Sequence, residues 1–210
     1  MRIKMRKIIW SIMTSLDGYV AGPNGEFDWP LADEEFEQSA LDLLNSVDYV
    51  MFGRLTYEMM AGYWPSATTN PAGVLNSSGT KISVPTEASQ THTEIAHKMN
   101  TLIKVVFSRT LEYAEWNNSR IVREIVPAEM MRFVQQPGKD AVIYGSTQVT
   151  STMTELGLID EYRFFVNPII LGSGKSLFEG VNQRKKLKLV KTKTFASGLV
   201  GLYYELDKPA

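Results

Sequence analysis

A chain of 210 residues, 44% of them hydrophobic and 21% charged, is long enough to bury roughly 70% of the surface its unfolded form exposes, and it lies outside the composition range that stays disordered. Its 22 Lys and Arg stand against 23 Asp and Glu, so there is no overall attraction to nucleic acid or anionic membrane and any anion site has to be local. The absence of cysteine excludes disulfides, thiolate zinc sites, iron–sulfur clusters and cysteine nucleophiles together.

Residues 1–6 are basic, precede the first apolar run and are expected to form a flexible N-terminus. Lys7 to Ser15 predicts a buried first strand ending at Asp17-Gly18, and the glycines and prolines between Tyr19 and Pro30 predict a loop. Asp33 is placed to cap a helix whose apolar residues Phe36, Ala40, Leu43, Leu44 and Val47 recur at three- and four-residue spacing. Val47 to Phe52 predicts a second strand stopping at Gly53, and a helical pattern resumes from Leu55 to Ala61. From 65 to 86 the composition turns to Ser, Thr, Asn, Gly and Pro. That predicts a long loop of the kind that serves as a lid, a binding loop or a partner contact.

Glu87 to Asn100 then predicts a helix, Leu102 to Phe107 and Arg120 to Glu124 strands, and Pro127 to Gln136 a helix with proline at its first position. Asp140 to Tyr144 predicts a strand, and Ser146 to Leu156 a helix stopped by Gly157. Tyr162 to Leu171, Leu187 to Phe195 and Leu199 to Leu206 predict the last strands, the final two forming a hairpin. Strands alternate with helices to about residue 160 and then follow one another. The order predicts one α/β domain over residues 1–210: three layers, a mainly parallel mixed sheet with helices on both faces and an antiparallel C-terminal edge.

Gly172-Ser173-Gly174-Lys175-Ser176 has the look of a phosphate loop, but Ile169 stands where that motif needs its first glycine, and Leu177 where the dinucleotide fingerprint needs its third. A turn is the better reading, and a phosphotransferase is excluded. His92 and His97 are five apart in a polar segment; they are read as solvated helix residues, and no metal is expected. The chain has no apolar stretch of 18 residues and no small-residue cleavage site near its start, so a cytoplasmic protein with no membrane partner is expected.

Three places put small or polar residues just past a predicted strand, where α/β sheets bind ligands. Gly53-Arg54-Leu55-Thr56 offers backbone amides and a cation to a phosphate. Ser108-Arg109-Thr110 offers a hydroxyl and a guanidinium that suit the ribose 2′-phosphate of NADPH, and Tyr144-Gly145-Ser146-Thr147-Gln148 lets the backbone approach a pyrophosphate at a helix start.

At these residues the chain resembles the dihydrofolate-reductase-like superfamily, in particular the bacterial group related to the C-terminal reductase domain of the bifunctional riboflavin-biosynthesis deaminase/reductase. The resemblance runs from about Lys7 to Leu206. It is carried by Ser15-Leu16-Asp17-Gly18, Phe52-Gly53-Arg54-Leu55-Thr56-Tyr57, Phe107-Ser108-Arg109-Thr110-Leu111, Tyr144-Gly145-Ser146, Gly157-Leu158-Ile159-Asp160-Glu161 and Asn167-Pro168-Ile169-Ile170-Leu171-Gly172. It implies NADPH along the strand ends, with Val20 and Ala21 flanking the nicotinamide, Gly53 to Thr56 and Gly145 to Val149 (through Ser146, Thr147 and Gln148) on the pyrophosphate, and Ser108 with Arg109 on the 2′-phosphate.

The substrate it implies is a small planar molecule, a pterin-like ring, a pyrimidine or a related C=N or C=O compound. That molecule would sit between Asp17, Trp29, the helix at 33 to 36, Tyr57 and the turn carrying Leu171 and Gly172. Such proteins are commonly homodimers. Asp17 and Asp33 are the candidate proton donors, although an Asp before Gly also suits a plain turn; Asp33 or Glu34 would match the helix carboxylate that holds the pterin in dihydrofolate reductases. Trp29 and Tyr57 are candidates for stacking on the substrate. Ser11 stands where the riboflavin reductases usually carry lysine. Two functions follow as expectations: an NADPH-dependent reductase, or an NADP(H)-binding sensor without chemistry.

Overall fold

A computed structural model describes residues 5–67 and 89–207. Runs of apolar and β-branched residues form the strands, β1 Ile8–Thr14, β2 Tyr19–Ala21, β3 Val47–Gly53, β4 Ile103–Phe107, β5 Ser119–Val122, β6 Asp140–Ile143, β7 Glu161–Val166, β8 Lys175–Ser176, β9 Leu187–Thr194 and β10 Val200–Leu206. The helices are α1 Glu34–Asn45, α2 Arg54–Tyr63, α3 Gln90–Thr101, α4 Pro127–Gln135 and α5 Thr147–Glu155.

Eight strands make one sheet in the order β5-β4-β3-β6-β1-β7-β10-β9. Pairing is parallel from β5 through β7 and antiparallel where β10 meets β7 and β9. A parallel sheet has to be covered on both faces, and neighbouring residues in the strands accordingly enter opposite cores. Ile8, Met51, Val105 and Ile143 pack with Phe133 of α4 and Met153 of α5. Ile9, Val50, Val106 and Val142 pack with Leu44 of α1, Tyr57 of α2 and Met99 of α3. The three-layer α/β architecture with an antiparallel edge is thus the one the element order predicts. Among the described residues no helix is long and apolar enough to cross a membrane.

The differences are local. Residues 1–4 of the expected flexible start lie outside the described residues, but Arg6, grouped with them, is buried, donating to Lys139 O and lying over the rings of Tyr49 and Phe133. Most of the expected loop at 65 to 86, and the expected helix start at Glu87, also lie outside the described residues; α3 is described from its cap at Ser89, whose Oγ accepts from His92 N at 2.9 Å. The seventh strand stops at Val166, not Leu171. Asn167 there turns its side-chain amide onto Thr14 O and Phe165 O, and Pro168 has no N–H to continue a ladder. Within the expected 19 to 30 loop, β2 pairs antiparallel with β8; the Gly172–Ser176 stretch therefore ends in a strand pair, as rejection of the phosphate loop requires.

Candidate functional site

Register places the ends of four strands side by side. Gly53 of β3 faces Phe107 of β4, Met51 faces Ile143 of β6, and Ile143 faces Trp10 of β1. Ser108–Arg109, Gly53–Arg54 and Gly145–Ser146 therefore follow one another along one rim, at the strand spacing of about 4.8 Å. Gly53 N donates to Gly145 O at 2.7 Å. A Cβ on Gly53 would press into Ser146 Oγ and lie 3.0 Å from Ser146 N, which is why this strand end carries glycine. Gly145 has φ +126, and the Gly145–Ser146 peptide is cis. α2 begins after Gly53 and α5 after Ser146, and neither start has a side-chain cap. The first amides of two helices thus point off neighbouring strands with the positive ends of both dipoles.

Other rim residues are already partly engaged. Ser108 is buried and its Oγ accepts from Thr110 N and Leu111 N at 3.2 and 2.9 Å. Arg109, Thr110 and Gln148 are exposed, Thr147 and Val149 are buried, and Arg54 is exposed and pairs with Glu58 at 3.0 Å.

Beside the rim lies a cavity of about 400 Å³. Val20, Ala21, Leu55, Thr56, Tyr144, Gly145, Ser146 and Thr147 of the expected cofactor set line it, together with Ser11, Phe27, Phe36 and Phe165. Burial pushes the Tyr144 hydroxyl well above its ordinary range, with Arg163 opposing.

The expected substrate and acid residues fare differently. Tyr57 is turned into the core: it packs on Phe52 and Trp116, and its hydroxyl accepts from Trp116 N at 3.0 Å. Trp29 lies edge-on against Phe27 and donates to Glu26 O, and Phe27 takes the place on the cavity wall. Asp17 is exposed. It accepts from Ser15 Oγ at 2.7 Å and from the amides of Leu171 and Gly172 at 3.1 and 2.8 Å. The Ser15 hydroxyl and these amides hold its carboxyl below the usual range, so it is an ionised clamp on the turn and a poor proton donor. Asp33 caps α1 as predicted, accepting from Phe36 N at 2.8 Å, and also from Ser197 N at 2.9 Å. Burial pushes its carboxyl up, but hydrogen bonding by Ser197 and Phe36 outweighs this and leaves it lowered. Glu34 is exposed.

The α1 carboxylate that faces the cavity is Glu37, and with it comes a correction: His92 is not solvated but 4% exposed. Glu37 Oε1 lies 2.9 Å from His92 Nδ1, and His92 Nε2 lies 2.6 Å from Tyr63 Oη. Ser89 Oγ donates to Glu37 Oε2 at 2.9 Å, and Trp64 stacks on the imidazole. Burial, and then the Glu37 charge, push the Tyr63 hydroxyl up to about 12. A signal for this cluster existed. Glu37 falls on the apolar stripe of α1 beside Phe36 and Leu41, and His92 shares a helical face with Ile95, Ala96 and Met99, positions where a polar group needs a partner.

Fold and rim together define a dihydrofolate-reductase-like α/β protein. The model of the RibD C-terminal domain matches residues 6–201, and the chain belongs to that family. Protein YyaP of Bacillus subtilis (strain 168) is 33% identical over 202 residues, 96% of either chain. The diaminohydroxyphosphoribosylaminopyrimidine deaminase/5-amino-6-(5-phosphoribosylamino)uracil reductase of Thermotoga maritima superposes with a TM-score of 0.62 at 16% identity, over 97% of this chain and 57% of that one. Dihydrofolate reductase from Enterococcus faecalis, complexed with NADP(H), superposes with a TM-score of 0.58 at 11% identity, over 96% and 97%. These two likenesses are likenesses of fold.

Proposed function

We propose that the protein is an NADPH-dependent reductase that passes a hydride to a small planar C=N or C=O substrate, a pterin-like or pyrimidine ring among them. The carrying observation is the pair of uncapped helix starts at Gly53 and Ser146, side by side and opening onto the cavity. Such a pair suits a pyrophosphate. The other donors fit the same coenzyme: exposed Arg54 beside those amides for the pyrophosphate, exposed Arg109 with Ser108 for the ribose 2′-phosphate, and Val20 and Ala21 on the cavity wall for the nicotinamide. When bound, NADPH would supply the hydride.

The chain's own residues hold the acceptor. Phe27, Phe36 and Phe165 offer ring faces and edges to a flat substrate and keep water out. Ser11 on the same wall, in place of lysine, turns the proposal away from the ribosylamino-pyrimidine. Family membership and the reductase named for the Thermotoga maritima protein support the reading. Leu189 and Val190, 50% and 57% exposed on β9, support the homodimer as part of it.

Thermal unfolding with and without cofactor tests the proposal. A cofactor at 100 times its Kd stabilises by about 2.7 kcal/mol, so NADPH should raise Tm by several degrees and NADH by less. Equal shifts would remove the Arg109 assignment, and no shift with either would overturn the proposal. The sensor reading has one observation in its favour, that Asp17 and Asp33 both spend their oxygens on backbone amides. An NADPH shift without NADPH oxidation would select it.

A further inference from the structure

We infer that Tyr63, backed by His92 and Glu37, is the proton donor of this site, delivering a proton from the helical wall of the cavity to the substrate atom that becomes negative when hydride arrives. The inference rests on the reductase reading above. Its ground is a convergence that packing does not require. Three helices bring a phenol, an imidazole and a carboxylate into one hydrogen-bonded chain, each under 10% exposed, in a cavity that Met59, Met60, Ile95 and Met99 also line. Apolar side chains of similar volume would fill this space without the desolvation cost that buried polar groups carry.

The wiring defines two states. Glu37 keeps both oxygens occupied, Oε2 by Ser89 and Oε1 by His92 Nδ1–H, so in the neutral ring Nε2 is the acceptor and the Tyr63 hydroxyl donates to it. When His92 takes a second proton, Nε2–H donates to Tyr63 Oη and the hydroxyl hydrogen, still bonded to oxygen, turns toward the cavity.

From that state the step balances. Bound NADPH would supply the hydride pair for the new C–H bond, and the π pair of the C=N or C=O would settle on the heteroatom. The Tyr63 O–H bond breaks as the N–H or O–H bond of the product forms, the Nε2 proton moves to Oη, and the imidazole returns to its neutral form to be recharged from solvent. Among the described residues the titratable groups facing His92 are Glu37 from α1 and Tyr63 from α2, and Lys175 also lines the cavity.

The test uses the full chain with NADPH and 7,8-dihydropterin as the C=N probe. Tyr63→Phe and His92→Gln are expected to lower kcat on the order of 100-fold, the usual scale for a lost general acid, while each keeps its NADPH thermal shift. Ring ¹⁵N spectra, with His97→Gln to assign the signals, give a readout free of cofactor and substrate: the neutral His92 ring should carry its proton on Nδ1. A missing NADPH shift in the wild type, or NADPH that binds and is not oxidised by the probe, overturns the reductase reading. The proton-donor assignment alone is overturned by a neutral ring protonated on Nε2 or by variants that keep kcat within about twofold.

Discussion

Along the rim, at Gly53 and Ser146, the groups offered to a ligand are backbone amides, and what brings them together is the absence of side-chain atoms. On the helical wall, at Glu37, Tyr63 and His92, the groups are long side chains from three helices, each costly to bury alone and satisfied by the others and by Ser89. The rim is preorganised by strand order and tolerates no added atom. The wall is held by mutual hydrogen bonding and tolerates no missing partner.

Adding and removing atoms should break the two regions in opposite senses. The largest expected effect is Gly53→Ala: the new Cβ meets Ser146 Oγ and, at 3.0 Å, Ser146 N, one of them backbone that cannot swing away. A loss of about 3 kcal/mol, the upper end for an overpacked site, should appear in urea unfolding, together with loss of the NADPH thermal shift. Next comes Glu37→Leu, which leaves His92 Nδ1–H and the Ser89 hydroxyl without their acceptor and should cost about 2 kcal/mol. The comparison sharpens if Glu37→Leu with His92→Leu and Tyr63→Phe costs less than Glu37→Leu alone, because the combined variant removes the stranded ring N–H and the phenol hydroxyl that would otherwise lose its partner; an equal or larger loss would mean that the wall is held by packing alone.

The smallest effect is at Asp33, which belongs to neither region. Asp33→Ala removes the α1 cap and the acceptor for Ser197 N, for about 1 kcal/mol at neutral pH. Its carboxyl is lowered in the folded protein, so the stabilisation is fully present above the unfolded value of about 3.9 and is lost as pH falls through the folded one. Unfolding measured from pH 7 downward should show the gap between wild type and Asp33→Ala closing below about pH 4.

The same division explains what was legible in the residues. Strand and helix order, the Asp33 cap and the rim glycines were readable because each depends on local backbone preference or on the rule that sheets bind ligands at strand ends. The direction of Tyr57 was not. Its helix runs from Arg54, and only the packing of α2 against Phe52 and Trp116 shows that the ring enters the core. His92 was misread because its segment is polar in composition, and its burial depends on meeting Glu37 and Tyr63, residues remote from it in the chain. The β2–β8 pair escaped for a related reason: two short segments have no periodicity of their own until they find each other.

The contact between Gly53 and Ser146 also bears on how such a chain can drift. The two positions share one small volume, so a methyl gained at the first calls for a hydroxymethyl lost at the second, and alanine with glycine is the exchange that space allows. Even then the Ser146 nitrogen, 3.0 Å from the new carbon, leaves the swap tight, so heredity should treat the two sites as one locus.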